Sequence, residues 1–238
     1  MIGLGTAINI GLIIAGSLCG LAFGRFMKEN LKQTLMMVSG IIVLLLGMSG
    51  AMQYMLVIVN GTLQTTGPML MIISMVAGAI IGELIDLNRW ITVFGDWVKA
   101  KTGNTGDPQF THAFITASLT FTVGAMGVLG SIQDGLTGNY QTLLLKGILD
   151  GIIVMVMVSS MGKGALFSFI PVGITQWIIT AMAHIAAPLM TPSAIDNLSY
   201  VGSILIFCVG IDLIWPSKIR IANLLPAIFV AMGLTFLL

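Results

Sequence analysis

The chain has 238 residues, of which 57% are hydrophobic and only 8% are charged, against about 25% charged residues in a typical soluble domain. A single soluble core of this size cannot bury so much apolar surface, so we expect a polytopic membrane protein whose solvent is lipid. The net charge of +1 and the lack of any basic run exclude nucleic acid as a partner.

Eight apolar stretches are long enough to cross a bilayer, which takes about 20 helical residues for about 30 Å of hydrocarbon. In chain order they cover about residues 2–24, 33–56, 68–87, 111–132, 141–161, 165–189, 199–215 and 221–238. The last two stretches are short and glycines interrupt the fourth, so seven spans is the competing count. The first stretch lacks the basic region of a cleavable signal peptide, and we expect it to be a retained span. The predicted fold is all-α with about eight transmembrane helices.

Basic residues predict the orientation, because cytoplasmic loops of membrane proteins are enriched in lysine and arginine. With eight spans, nine of the ten basic residues fall in loops on one side: Arg25, Lys28, Lys32, Arg89, Lys99, Lys101, Lys163, Lys218 and Arg220. The opposite loops, 57–67, 133–140 and 190–198, contain no lysine or arginine. We therefore expect the basic side to face the cytoplasm and both termini to lie outside.

The connection 88–110 is the one long polar segment of the sequence. Its first half has apolar and aromatic residues at helical spacing: Trp90, Ile91, Phe94, Trp97 and Val98. This pattern predicts a cytoplasmic interfacial helix with its tryptophans at headgroup depth, followed by the turn-rich linker TGNTGDP. The segment divides the chain into a first membrane half of three spans, 1–87, and a second of five spans, 111–238.

Two windows, beginning at Gly16 and Gly130, share an order of motifs. Each has a Gly-Ser pair followed by a further glycine, then a polar bridge, QTL, and G-I-I-V in the next span. If the halves are homologous, the first and fourth spans correspond and cross in opposite directions, which is the inverted repeat of many secondary transporters. The alternative is that small-residue packing motifs recur in any helical membrane protein.

The segment 124–139, GAMGVLGSIQDGLTGN, is unusually rich in glycine for a membrane span. Each glycine disfavours a helix by about 1 kcal/mol relative to alanine, and unwound backbone at membrane depth is tolerated where it is buried or lines a cavity. We predict that Ser131, Gln133 and Asp134 offer side chains and backbone groups to a ligand or ion. The alternative is a glycine-rich packing face that ends in an ordinary external loop at Gln133.

Lys146 and Asp150 lie four residues apart in an otherwise apolar span, so one helical turn stacks them on the same face. An ionisable residue at membrane depth costs about 2.5–3.5 kcal/mol on insertion scales and marks a functional site by default. Asp150 lies about 14 Å along the span, near the midplane, whereas Lys146 is shallower and can reach the outer surface. The alternative is a structural ion pair. Asn9 in the first span is a further pathway candidate, with bonding across helices as its alternative.

No motif predicts an enzyme, because the sequence has no Ser/His/Asp set, HExxH or P-loop. His112 and His184 have no partners at ligand spacing, and Cys19 and Cys208 lie in apolar stretches. We therefore expect no metal centre, no disulfide and no cofactor. The expected partners are the lipid bilayer and a small solute or ion, and the small-residue helix faces allow a homodimer.

Four segments together have a recognisable order: GT-x-x-N at 5–9, VGAMGVLGSIQDGLTGN at 123–139, LLKGILDG at 144–151 and GIDLIW…KIRIANLLPA at 210–227. They resemble the YdfK/YqgA-like family of bacterial inner-membrane proteins, domain of unknown function 554, along nearly the whole chain. The resemblance implies a multi-spanning candidate transporter without an established substrate. It gives, as motif residues without proven roles, Ser131, Gln133, Asp134, Lys146 and Asp150. In GIDLIW the chain has the acidic residue Asp212 at a position where the resemblance leads us to expect a residue with a neutral amide side chain.

The leading functional hypothesis is a secondary transporter for a small polar or ionic solute, with proton or ion coupling as an option. Its site is expected near the broken fourth span and the helix that carries Lys146 and Asp150. The first alternative is a channel for ions or small solutes, because the same features can line a pore. The second is a membrane scaffold or sensor that transports nothing and binds a partner through 88–110.

Overall fold

The computed structural model describes residues 1–24, 26–123, 125–189, 191–215 and 219–236, and most of them are helical. The α-helices are α1 (Leu4–Gly24), α2 (Glu29–Met55), α3 (Pro68–Ile85), α4 (Leu87–Lys101), α5 (Phe110–Thr122), α6 (Ala125–Thr137), α7 (Gln141–Met161), α8 (Phe169–Ala181), α9 (Ala183–Ala186), α10 (Pro192–Ile214) and α11 (Pro226–Leu234). The 3-10 segments are Lys163–Ser168, Ala187–Leu189 and Ile221–Leu224.

A short antiparallel hairpin, β1 (Leu56–Val59) and β2 (Thr62–Thr65), joins α2 to α3. Its turn is Asn60-Gly61, and both residues have positive φ, at 52° and 77°. Asn-Gly is the preferred pair for such a two-residue turn, because its backbone twist matches that of the strands. The predicted loop 57–67 is therefore mostly a hairpin.

Six segments among the described residues are long and apolar enough to cross a bilayer: Leu4–Gly24, Asn30–Met55, Pro68–Ile85, Gln141–Met161, Lys163–Ala181 and Pro192–Ile214. The count is up to seven if α5 and α6, which meet at 60°, form one bent span. The last predicted span contains only a shorter apolar helix, Ile221–Leu234. The prediction of an all-α polytopic membrane protein is confirmed, and by length and composition its spans number six or seven.

Glycines determine how closely α1 and α7 pack. The two helices run parallel, because Gly5 lies against Leu143 near their first residues and Gly24 lies against Ser159 near their last. At Gly16 the backbones are so close that an added Cβ would be 2.1 Å from the carbonyl oxygen of Gly151. Close contact between helix backbones at small residues is typical of membrane helices, which gain little from hydrophobic burial in lipid.

Two further helix pairs pack antiparallel. On α2 and α10, Gly47 lies against Phe207 and Gly40 against Leu213. On α3 and α11, Gly78 lies against Ala227, and Gly82 lies against the backbone of Asn223 just before α11. The helices of the predicted first half therefore pack on helices of the second half, and the two halves form one bundle.

The parallel pair α1 and α7 shows how the chain passes through α5 and α6. Helices α2 and α3 carry the chain across the bundle and back, so α5 begins at the end where α1 finishes, and its Phe110 contacts Gly164 just after α7. Because α7 starts beside the start of α1, α5 and α6 together must cross the bundle once. They form one bent span rather than a loop that re-enters.

The two ends of the bundle differ in their content of lysine and arginine. One end, which we call the basic end, carries Lys28, Lys32, Arg89, Lys99, Lys101, Lys163 and Arg220, while Arg25 and Lys218 of the predicted basic set lie outside the described residues. The opposite end, which we call the hairpin end, has the amino terminus, the β-hairpin and the connections α6–α7 and α8–α10.

Helix α4 forms within the polar connection, as its amphipathic pattern predicts. Its buried Val98 packs with Phe114 of α5, and the rings of Phe94 and Phe114 are 5.9 Å apart. Trp90 and Trp97 are exposed, and the ring of Trp97 stacks on that of Phe94. Residues 102–109, which follow, are turns without regular structure.

Candidate functional site

The bend between α5 and α6 leaves a backbone carbonyl available to a side chain. Phe121 lies in the last turn of α5, where helix carbonyls have no intrahelical partner. Nζ of Lys146 donates a hydrogen bond to this carbonyl oxygen over 2.9 Å. Gly127 leaves room for the lysine, since a Cβ there would be 3.3 Å from its Cε. Lys146 therefore points into the bundle. Its position in the sequence had also allowed the side chain to extend to the outer surface.

Lys146 also donates to Oδ2 of Asp150, one turn further along α7. Both side chains are only 9% exposed. The spacing of four residues predicts this contact. Inside a bundle such a pair is mutually dependent, because removing one partner leaves an uncompensated buried charge at a cost of about 3–5 kcal/mol.

Asn9 of α1 is the third polar residue of this cluster. It is fully buried, and its side chain lies near the Asp150 carboxylate without a hydrogen bond to it. Gly147 makes the approach possible, because a Cβ there would be 3.0 Å from the Cα of Asn9. Neither Oδ1 nor Nδ2 of Asn9 has a partner with hydrogen-bond geometry among the described residues. Unpartnered buried amides are rare in native proteins.

The ion pair lines a cavity of about 390 Å³ between α2, α5, α6, α7 and α10, which we call the outer cavity. Its other polar residues are Ser49, Gln53, Tyr54, Thr120, Ser199 and Ser203. Leu46 and Leu149, each about half exposed at 53% and 46%, form its lipid-facing side. The lining runs from the middle of α7 toward the hairpin end, and the volume is that of a small-molecule site.

The polar wall on α2 and α10 is absent from the sequence-based prediction, although the sequence contains a signal for it. Ser49 and Gln53 are four residues apart on one apolar helix, and Ser199 and Ser203 are four apart on another. Such spacing places each pair on a single helix face. What the sequence does not contain is the information that these two faces meet Asp150.

The predicted site residues of α6 lie apart from the outer cavity. Oδ2 of Asp134 accepts a hydrogen bond from the backbone N–H of Gly5 over 3.0 Å. This carboxylate therefore caps the amino-terminal end of α1, where the helix dipole favours negative charge. Oε1 of Gln133 accepts from Oγ1 of Thr142 over 2.7 Å. The structure thus brings Asn9, Lys146 and Asp150 together, and it does not bring Asp134 or Gln133 to them.

Ser131 is fully buried within α6, and its hydroxyl donates to the Gly127 carbonyl one turn earlier. The expectation of unwound backbone in this glycine-rich segment is wrong for the described residues, because 125–137 form a continuous helix. Packing explains the glycines: a Cβ at Gly135 would be 2.4 Å from the Thr180 carbonyl oxygen. The helix is interrupted just before this segment, next to Gly124, which lies outside the described residues.

A second cavity, of about 450 Å³, lies at the basic end between α4, α5, α10 and Ile221–Leu224, and we call it the inner cavity. Its polar lining consists of Asn88, Thr92, His112, Thr116, Asp212 and Arg220. Nε2 of His112 is 3.3 Å from Oδ2 of Asp212. Arg220 binds Glu83 of α3 over 3.1 Å. Among the described residues, no group of three or more His, Cys, Asp or Glu side chains gathers to hold a metal ion.

Comparison with known proteins places the chain in a family. It is similar to a protein of Bacillus subtilis (strain 168) described as uncharacterized membrane protein YdfK, with 27% identity over 235 residues that cover 98% of this chain and 96% of the relative. It is also similar to the uncharacterized protein YqgA of Escherichia coli (strain K12), with 24% identity over 240 residues, 98% of this chain and 96% of the relative. No solved structure matches the chain. The family model described as "Protein of unknown function (DUF554)" matches residues 4–236, and the chain therefore belongs to the DUF554 family.

Proposed function

We propose that the protein is a secondary transporter that moves a small polar or ionic solute across the bacterial inner membrane. The observation that carries this proposal is the Lys146–Asp150 pair, which lies near the middle of α7 and lines the outer cavity. Charged side chains within transmembrane segments are costly and typically lie on substrate or ion paths. An ion pair that only fixed helix register would need no cavity beside it.

The cluster retains capacity to bind a solute. An ammonium group has three N–H donors, and Lys146 uses two of them on Asp150 and the Phe121 carbonyl. The third donor is available to an acceptor in the outer cavity. Asp150, Ser49, Gln53 and Ser203 line the same cavity and add further acceptors and donors. We infer that the transported solute both accepts and donates hydrogen bonds.

The charge distribution supports one orientation for this transporter. Basic loops are retained in the cytoplasm, so the basic end faces inward and the hairpin end faces outward. The outer cavity then opens away from the cytoplasm, and α4 lies at the inner surface with Trp90 and Trp97 at headgroup depth.

The test uses the purified protein in liposomes that contain a pH-sensitive dye, challenged with gradients of organic acids, amines and inorganic ions. We expect saturable, gradient-driven uptake of at least one solute. Asp150→Asn should slow that uptake by about tenfold or more, since each 1.36 kcal/mol of lost stabilisation is a factor of ten in rate. Asp196→Asn, at an exposed carboxylate of α10, is the matched control and should transport normally. If no solute moves under any gradient, the proposal is wrong.

The same experiment distinguishes the two alternatives. A channel would give ohmic current that does not saturate with solute concentration. A scaffold or sensor would transport nothing, and Asp150→Asn would then leave all fluxes unchanged while deletion of 90–98 abolished the cellular phenotype.

A further inference from the structure

The outer and inner cavities lie along the same two helices. On α5, Thr120 lines the outer cavity and Thr116 lines the inner one. On α10, Ile206 lines the outer cavity and Val209 the inner one. Leu119 also lines the inner cavity, so the two linings meet at adjacent residues on α5 and lie within one helical turn, about 5.4 Å, on α10. The cavities are adjacent along one line that runs from the hairpin end to the basic end.

Apolar side chains fill the short distance between the cavities. Leu119 of α5, Val209 of α10 and Val43 of α2 are all buried and belong to one packed cluster. We call these three residues the plug. An apolar constriction of this kind excludes water and polar solutes from a path that is otherwise lined with polar groups.

Each cavity presents a basic and an acidic side chain in contact with each other. The outer cavity has Lys146 with Asp150, and the inner cavity has His112 with Asp212. A solute that both donates and accepts hydrogen bonds finds the same types of partner on both sides of the plug. Arg220 and Thr116 add a further cation and a hydroxyl on the inner side.

We propose, on the basis of the proposed transport function, that the inner cavity is a second binding site for the same small polar solute. It forms the inner half of one path along α5 and α10. The plug of Val43, Leu119 and Val209 closes this path in the present structure.

Sided labelling tests the path without knowledge of the solute. In a background in which Cys19 and Cys208 are replaced by alanine, single cysteines are introduced by Ser203→Cys in the outer cavity and Thr116→Cys in the inner one. Sealed vesicles are treated with a membrane-impermeant thiol reagent on either face, and Thr65→Cys and Thr105→Cys variants identify the hairpin face and the basic face. We expect S203C to react only from the hairpin face and T116C only from the basic face. Thr92→Cys, in the wall of the inner cavity, replaces T116C if that variant misfolds.

Opening the plug should join the cavities. Leu119→Ser, added to either labelling variant, is expected to allow reaction from both faces. Leu145→Ser on the lipid-facing side of α7 is the matched control and should preserve the sided pattern. The proposal is overturned if S203C and T116C react from the same face, if neither inner-cavity variant reacts, or if L119S leaves labelling sided.

The outcomes separate this inference from the transport function. In one outcome, each cavity reacts from one face only, L119S allows reaction from both faces, and the liposomes take up no solute. This outcome would support the path and contradict the transport function. In the other outcome, uptake is saturable but both cavities react with the reagent from the same face. This outcome would support the transport function and contradict the path.

Discussion

Lys146 and Asp150 illustrate how single residues depend on one another in this bundle. The lysine satisfies both the carboxylate and the Phe121 carbonyl that the bend leaves open. The ammonium group of Lys146 and the carboxylate of Asp150 are both buried away from water. Each charge is therefore stabilised in the bundle by the other. Asn9 lies beside the same cluster.

We therefore predict that Lys146→Met destabilises the protein by about 3–5 kcal/mol, because Asp150 is left charged and unpaired. The double variant Lys146→Met/Asp150→Leu should recover most of this loss, since apolar side chains replace both charges, and it should still fail to transport. Unfolding in detergent and liposome uptake are the two measurements. Lys163→Met, at an exposed lysine, is the control. A single K146M variant as stable as the wild type would contradict the prediction.

Asp134 gives a second residue-level prediction, because its contacts point to helix capping. Asp134→Ala should cost about 0.5–2 kcal/mol of stability, as for the loss of other amino-terminal caps. Transport by the folded fraction should be retained, because the carboxylate bonds Gly5 and does not line the outer cavity. The measurements are unfolding in detergent and uptake per folded protein. Full stability with lost uptake would instead support the pathway role that its motif position predicts.

At the scale of elements, glycine contacts decide which helices pair. Gly16 and Gly151 bring the α1 and α7 backbones together. On α2 and α10, Gly47 lies against Phe207 and Gly210 lies against Leu44, with the same effect. In lipid, helices gain little from apolar burial, so close backbone approach contributes a larger part of the association.

Gly16→Leu is therefore expected to be severely destabilising, because even the first added carbon would overlap the Gly151 carbonyl at 2.1 Å. Overpacking of this type costs typically about 1–3 kcal/mol and often more where backbone is the obstacle. Gly11→Ala is the control on the same helix, since nothing lies within 4 Å of an added Cβ there. It should be neutral or stabilise α1 by up to about 1 kcal/mol. Thermal unfolding in detergent measures both, and equal Tm values for the two variants would refute the packing argument.

At the scale of the whole molecule, lysine and arginine are segregated to one end. All described lysines and arginines except Lys146 lie at the basic end, together with most of the acidic residues, and the hairpin end has Asp134 and Asp196. This asymmetry is what orients helical membrane proteins during insertion.

We predict that Thr65→Cys and Thr105→Cys react with an impermeant thiol reagent from opposite faces of the membrane. Both residues are exposed, the first in the hairpin and the second after α4. In intact cells only T65C should react, because the proposed orientation places the basic end in the cytoplasm. Reaction of both variants from one face would refute the crossing of the membrane by α3, which lies between the two residues. Reaction of T105C alone would reverse the orientation.

Hydropathy and residue spacing predicted much of this fold. They failed where the structure depends on helix caps or on contacts between helices. The predicted span 141–161 matches α7, and the contact of Lys146 with Asp150 follows from their spacing. Helix α10 begins seven residues before the predicted 199, at Pro192, because Thr191 caps it by accepting from the Ala194 N–H. Polar Asp196 and Asn197 hide that start from a hydropathy window, whereas a Thr-Pro cap is a local signal that was available.

The site was only partly predictable for the same reason. The lysine and aspartate are local to one helix, so their sequence reveals them. The Phe121 carbonyl is open only because the chain bends after α5, and the serines of α2 and α10 join the site only because those helices pack beside α7. The glycines around Gly135 predict a helix of low stability. In the structure Gly135 packs closely against Thr180, and the sequence alone does not reveal this contact.

The close glycine contacts also determine which parts of the molecule can move. Helices α1 and α7 interlock over their whole length and carry Asn9, Lys146 and Asp150, whereas α2 and α10 interlock as a second pair and carry the serine wall. Sliding or rotating a helix within either pair would bring backbone atoms into collision. The outer cavity lies along the seam between the two pairs, where contacts are looser. Changes in its width must therefore come from the pairs tilting against each other as stiff bodies, with the binding groups held in fixed geometry on each.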